Sequence, residues 1–321
     1  MKIVMGGTRY AGPPEPFVKE LRATFPDADI QPAASQEEQM DLIRDADAFY
    51  GRPSREVFMA ANKLRWIHNP GTGIDQLTAI SEIVESDVVI TNARGPHAPP
   101  MADHVMGMIL TLAHQLNEMW DDQTARRWDP HKYNHRQMEL AGTTMGILAI
   151  GDIGTQVAVR AHGFGINVYA VDINPRSAPA YVKEIWGLDR LDELLSISDW
   201  FVVTAPQTDE TKGLIDGRRI GLLKDGAFVI VISRGEIVDE LALNDAVRSG
   251  RLGGAGIDAF AEEPLPQDSP LWDAPNVLIT PHASALTPEM TEARQRIFKE
   301  NLSRFLDNKP FLYVCDKRAG F

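Results

Sequence analysis

Cysteine is nearly missing: Cys315 is the only one in 321 residues. One thiol closes no intramolecular disulfide and builds no cysteine-cluster zinc site, so the chain needs no oxidising compartment. Long apolar runs are missing too. The best, from Val105 to Ala113, falls far short of the ~18 residues that cross a bilayer. Basic residues are in deficit: 32 Lys and Arg stand against 45 Asp and Glu, a net charge of −13. That balance argues against the clustered positive surface that nucleic acid or anionic membrane requires. It leaves room for an anionic small substrate, because a few local Arg residues override a distant negative field. The opening MKIVMGGTRY has too short an apolar stretch for a secretory leader, so a cytoplasmic location is expected. Repeats and low-complexity tracts are lacking as well.

What is present is alternation. Length alone suggests about two domains. Short apolar or β-branched runs at 2–5, 46–50, 64–68 and 87–91 read as strands, with helical patterns such as 16–24 and 36–44 between them. This is the grammar of β-α-β units and implies a parallel sheet. A helical pattern then runs from about 100 to 127, with Val105, Met108, Ile109, Leu112, Leu116 and Met119 in period. The alternation restarts at 145–150, 167–171, 200–204, 227–233, 255–259 and 277–280, and a final helix spans 288–306. Two doubly wound α/β domains are expected. The least periodic part, 121–137, reads as a solvated arm.

The segment MGILAIGDIGTQVA (145–158) joins a strand, a glycine turn and a helix start. A dinucleotide-binding loop wants G-x-G-x-x-G there, and this chain has Ala149, Gly151 and Gly154. Gly151 lets the backbone approach a pyrophosphate, and Gly154 allows close packing of helix on strand. The helix start through Asp152 and Ile153 presents free N–H groups to the phosphate. Ala149 replaces the first glycine, whose job is the tight turn. Eighteen residues after Gly154, Asp172 ends the next strand, placed to accept from a ribose diol and to repel a 2′-phosphate. NAD is therefore favoured over NADP, with Arg176 the one neighbour that softens the preference.

Three more motifs follow the ends of strand patterns, where open α/β sheets place ligands. SRGEIVDE carries Arg234, IDAFAEEPLP carries Asp258 and Glu263, and TPHAS carries His282. Arg offers a permanent charge and a planar fork to a carboxylate or carbonyl. His titrates near neutral pH, and a carboxylate beside it orients the ring for acid–base work.

These motifs resemble the D-isomer-specific 2-hydroxyacid dehydrogenase family. With TAPQTDETKGLID (204–216), GTGID (71–75) and TNARGPHAPPMADH (91–104), the likeness runs in order over most of the chain. The resemblance implies a catalytic set of Arg234, Glu263 and His282: Arg234 binds and polarises a 2-oxo acid, Glu263 supports His282, and His282 is the general acid and base. It implies main-chain donors at Thr72 and Gly73 for the substrate carboxylate. It places Asp258 on the nicotinamide side, with Ala205, Pro206, Thr211, Ile232 and Ser233 completing the NAD contacts. The implied architecture is a Rossmann-like cofactor domain, 99–285, inserted into a discontinuous flavodoxin-like substrate domain, 1–98 with 286–321, and an active site in a cleft between them. The implied activity is hydride transfer between NAD(H) and a small anionic 2-oxo or D-2-hydroxy acid, in a homodimer that uses the 121–137 arm. Which acid is not legible. The extra C-terminal domain of some phosphoglycerate dehydrogenases is not expected. An alternative from another class is a non-catalytic, NAD(H)-sensing corepressor-like protein, which retention of all three residues disfavours.

Some residues stand outside the pattern. Relatives carry A-E-H where this chain has Ala102, Asp103 and His104, and no role is assigned. Arg94 and His97 sit in a loop from which a substrate contact or a plain surface position is equally open, while Tyr10 and the GPPEP run read as the first βα loop, at the mouth of the cleft. His131 and His135 have the spacing of two ligands on a helix, but no third ligand is near and no metal is expected. The six Trp residues read as packing anchors, and Cys315 as an inert structural residue.

Overall fold

The computed structural model describes residues 1–7 and 14–320; Tyr10 and the start of the GPPEP run lie outside the described residues. The chain divides into two compact units, Met1–Pro96 with Thr287–Phe321, and His97–Leu286.

The first unit holds strands β1 (Lys2–Met5), β2 (Asp29–Pro32), β3 (Ala48–Tyr50), β4 (Trp66–Asn69) and β5 (Val89–Asn92). All pair in parallel, in the order β2-β1-β3-β4-β5. Successive side chains of a strand point to opposite faces. Ile3 and Met5 accordingly join Leu21, Trp66 and Phe298 on one face, while Val4 joins Ile43, Phe49 and Ile67 on the other. A sheet covered on both faces needs apolar residues at nearly every strand position, which is why these runs are continuous rather than alternating. The helix Pro288–Leu306 closes one face. Proline stands at its first position and the Thr287 hydroxyl accepts from Met290 N–H, two signals that start a helix. Beyond it the chain returns antiparallel to the edge of β5: Cys315 N–H donates to Ile90 and Asn92 N–H to Tyr313. Lys317 Nζ pins this return, donating to the carbonyls of Ile83 and Val88 at 3.1 and 3.2 Å.

The second unit holds β6 (Thr144–Leu148), β7 (Asn167–Val171), β8 (Glu184–Trp186), β9 (Trp200–Val203), β10 (Phe228–Val231), β11 (Gly254–Ile257) and β12 (Val277–Ile279). This all-parallel sheet runs β12-β11-β10-β9-β6-β7-β8. The chain order reverses at β6 and β9, so the switch point, where such sheets bind ligands, lies beyond the carboxyl ends of that pair. The two doubly wound sheets are the expected fold.

Two strands are added and three readings are refined. Strands β2 and β8 are short edge strands with one buried apolar side chain each, Ile30 and Trp186, too brief a run to stand out in the sequence. The single helix expected over 100–127 is two, Ala98–Ala113 and Leu116–Thr124. Gln115 breaks it with a left-handed φ of 56°, and its side-chain amide donates to Leu112 O at 2.8 Å, satisfying a carbonyl at the helix end. The 121–137 arm is not simply solvated. It folds about Asp122, which is only 4% exposed and accepts from Tyr133 Oη at 2.6 Å, Lys132 Nζ at 3.0 Å and Arg127 Nε at 2.9 Å. Those donors hold its carboxyl far below the usual carboxylate range. His131 sits in a short turn, Pro130–Tyr133, and His135 has a φ of 64°, so the two share no helix face.

Candidate functional site

Strand β6 ends in the turn that the sequence singled out. Ala149 adopts φ 73°, the left-handed conformation that a glycine would take without strain. Neighbours hold it there. Thr204, after β9, donates its hydroxyl to Ala149 O at 2.7 Å, and Ala149 N–H reaches Val171 O at 2.8 Å. The next residue, Ile150, donates N–H to Asp172 Oδ2 at 2.9 Å and accepts from Arg176 Nη2 at 3.0 Å. Gly151 then caps the helix Asp152–Gly163. The first N–H groups of that helix have no partner within it, which is the arrangement that can receive an anion at the Asp152 to Gly154 turn.

The two glycines do different work. A Cβ on Gly154 would lie 2.3 Å from Ala149 O, so only glycine lets the helix pack this closely on the turn. A Cβ on Gly151 would meet nothing within 4 Å, so its backbone faces open space. Gly151, the free helix turn and Asp172 fit a dinucleotide. Asp172 Oδ1 also accepts from Asn174 N–H at 2.9 Å, which leaves further lone pairs on the carboxylate for a ribose diol. Ser233, after β10, is buried, and its hydroxyl has no hydrogen-bond partner among the described residues. Ile232 is fully buried under it, and Ala205 lines the end of β9 beside the exposed Pro206. Thr211 closes its own loop, donating its hydroxyl to Pro206 O at 2.8 Å.

The candidate residues Arg234, Glu263 and His282 come from loops after β10, β11 and β12. His282 Nδ1 meets both oxygens of Glu263, at 2.9 and 3.0 Å. Glu263 Oε1 also accepts from Phe260 N–H at 2.9 Å, which locks the carboxylate to its own loop. The His282 side chain is 27% exposed and that of Glu263 is 11% exposed, so the imidazole keeps access that its partner lacks. Arg234 Nη1 donates to Ser233 O at 2.8 Å. Gly235 binds the Arg234 loop to the Glu263 loop: a Cβ there would stand 2.0 Å from the Phe260 carbonyl carbon. Glu240 accepts from Ala261 N–H at 2.6 Å, and burial pushes its carboxyl up.

Asp258 is fully buried. Its carboxylate accepts from Thr280 Oγ1 at 2.6 Å, Ala283 N–H at 2.9 Å and Ser284 N–H at 3.2 Å. It therefore grips the turn on either side of His282, which has a left-handed φ of 51°.

In the first unit, Asn92 Nδ2 donates to Thr72 O and Asn69 Nδ2 to Gly73 O, both at 2.7 Å. The Thr72 hydroxyl is buried, with no hydrogen-bond partner among the described residues. Arg94 lies 5.6 Å from the Tyr313 ring centroid, and His97 occupies the cap of the helix Ala98–Ala113. Thr204, Glu240, Thr280 and His104 went unassigned in the sequence. Thr280 stands inside TPHAS and was the most findable of them; the others act through partners remote in sequence.

Comparison with known proteins meets this geometry. Residues 106–284 match the model of the D-isomer specific 2-hydroxyacid dehydrogenase NAD-binding domain. The D-3-phosphoglycerate dehydrogenase of Methanocaldococcus jannaschii is 31% identical over 287 residues, 87% of this chain and 53% of that protein. The chain spans about half the length of the curated phosphoglycerate dehydrogenases that it matches. Among solved structures, a D-isomer specific 2-hydroxyacid dehydrogenase family protein from Aeromonas salmonicida shares 31% identity with a TM-score of 0.86, covering 98% of this chain and 99% of that one. A D-isomer specific 2-hydroxyacid dehydrogenase from Xanthobacter autotrophicus, in complex with NADPH and MES, shares 29% identity with a TM-score of 0.81, covering 100% and 99%. The chain that carries this glycine turn and the loops of Arg234, Glu263 and His282 thus belongs to the D-isomer-specific 2-hydroxyacid dehydrogenase family.

Proposed function

We propose that this protein reduces a small anionic 2-oxo acid to its D-2-hydroxy acid, and catalyses the reverse, with NAD(H) preferred to NADP(H). The observation that carries the reading is the His282–Glu263 pair at 2.9 Å, on loops fixed beside the one that bears Arg234. When bound along Gly151 to Gly154, with its ribose diol on Asp172, the nicotinamide cofactor supplies or accepts the hydride. Glu263 holds the Nδ1 edge of the ring, which leaves Nε2 of His282 to deliver a proton to the developing alkoxide or to take it back. Arg234 binds the acid by its fork and stabilises the charge that builds on the carbonyl oxygen. In the first unit, the main-chain N–H groups of Thr72 and Gly73 are the proposed carboxylate donors. A homodimer is proposed as well. Trp120 is 68% exposed and Trp128 95% exposed, and a second copy of the chain would cover them at the 121–137 arm.

The test is NADH oxidation across glyoxylate, pyruvate, hydroxypyruvate, phosphohydroxypyruvate and branched 2-oxo acids, repeated with NADPH. Turnover of at least one acid is expected, faster with NADH. Tight NADH binding with no turnover would overturn the reading in favour of a sensor. Equal or faster turnover with NADPH would overturn the role given to Asp172.

A further inference from the structure

His104 lies on the helix Ala98–Ala113, remote in sequence from TPHAS. Its Nε2 stands 3.1 Å from Thr280 Oγ1. Thr280 has a single hydroxyl proton and gives it to Asp258 Oδ1 at 2.6 Å. Its oxygen is therefore left to accept, so His104 must carry a proton on Nε2. Donation continues unbroken: His104 to Thr280, Thr280 to Asp258, with Ala283 and Ser284 N–H closing on the same carboxylate.

Between those anchors sits His282 at φ 51°. A left-handed residue other than glycine is strained and persists only where its surroundings over-determine it. Asp258 supplies that over-determination, and its own oxygen is oriented by Thr280. A hydroxyl that accepts a hydrogen bond donates a stronger one, so His104 tightens the whole grip. Its neighbour Asp103 ties the same helix to the dinucleotide helix, through Arg160 Nε at 2.6 Å.

We infer that His104 is a positioning residue for His282, acting through Thr280 and Asp258 to hold the turn that aims the imidazole. The inference rests on the reading of His282 as the proton carrier.

Two readouts separate this inference from that reading. The first is amide hydrogen exchange in His104→Leu and His104→Gln, which needs no substrate. Exchange at Ala283 and Ser284 should quicken ~10-fold or more in His104→Leu, while the helix Asp152–Gly163 is unchanged. His104→Gln, which restores a side-chain donor, should recover most of the protection. The second is kinetics. In His104→Leu, kcat should fall ~10-fold with the KM for NADH unchanged, and Gln should rescue it. Wild-type exchange at both amides in His104→Leu would overturn the inference. So would equal defects in the Leu and Gln variants. If the wild type turns over no 2-oxo acid, the functional reading fails and the exchange data still decide the positioning role.

Discussion

His68 in the first unit and His282 in the second both stand at or just beyond the ends of parallel strands, and their surroundings make them different chemical groups. His68 is fully buried among Tyr50, Trp66 and Phe298. Its Nδ1 meets Thr91 Oγ1 at 2.8 Å, and Nε2 has no hydrogen-bond partner among the described residues. With no carboxylate to balance a charge, burial pushes its pKa down to about 3 and keeps it neutral. His282 has a carboxylate on Nδ1 and part of its ring open. What separates the two histidines is a carboxylate on the ring and an open ring edge, not their place in the sheet. The first unit uses its buried polar residues to tie down backbone, as Asn69 and Asn92 do, while the second spends Glu263 and Asp258 on one imidazole.

The largest expected effect breaks this contrast at the reacting group. His282→Gln should lower kcat by ~10²–10⁴-fold, the usual worth of a general acid. His68→Leu should leave kcat within about threefold, because no proton chemistry is assigned to it. Steady-state rates of both variants decide this, and a His282→Gln enzyme with near wild-type turnover would remove the proposed role.

The next effect is on acid stability. The pKa of His68 is about 3 when folded and near 6.5 when unfolded. Between those values the unfolded chain binds a proton that the folded chain refuses. The stability contributed by neutral His68 is therefore complete above about pH 6.5. It is lost as pH falls towards 3, at up to ~1.4 kcal/mol per unit. Urea unfolding at pH 7.0 and 4.5 should show this loss in the wild type and a shallower one in His68→Leu. Equal slopes would contradict the assignment.

The smallest effects fall on the glycine turn. Gly154→Ala would press a methyl against Ala149 O and should destabilise the protein by ~1–3 kcal/mol, while weakening NADH binding. Ala149→Gly removes a left-handed alanine but adds freedom to the unfolded chain. A net gain of ~0.5 kcal/mol or less is expected. Melting temperature and NADH titration measure both.

The strands that form the interiors of the two sheets were legible because a parallel sheet covered on both faces demands unbroken apolar runs, as in FVIV of β10 and WFVV of β9. Edge strands β2 and β8 were not, since each is short and buries one apolar side chain. The helix break at Gln115 was hidden because Leu116 and Met119 keep the period across it, although Leu116 is 47% exposed.

Much the same division holds for the site. Glycine spacing, the strand-end Asp172 and the run from Arg234 to His282 could be read from the sequence, since each is set by local backbone needs and residue chemistry. Only the tertiary structure decided that Thr204 and Asp172 hold the Ala149 turn, that both oxygens of Glu263 meet His282, and that His104 reaches Thr280. Those contacts join residues between 19 and 176 positions apart. A hydrogen bond depends on angles and on distances of about 3 Å, which periodicity and composition do not encode.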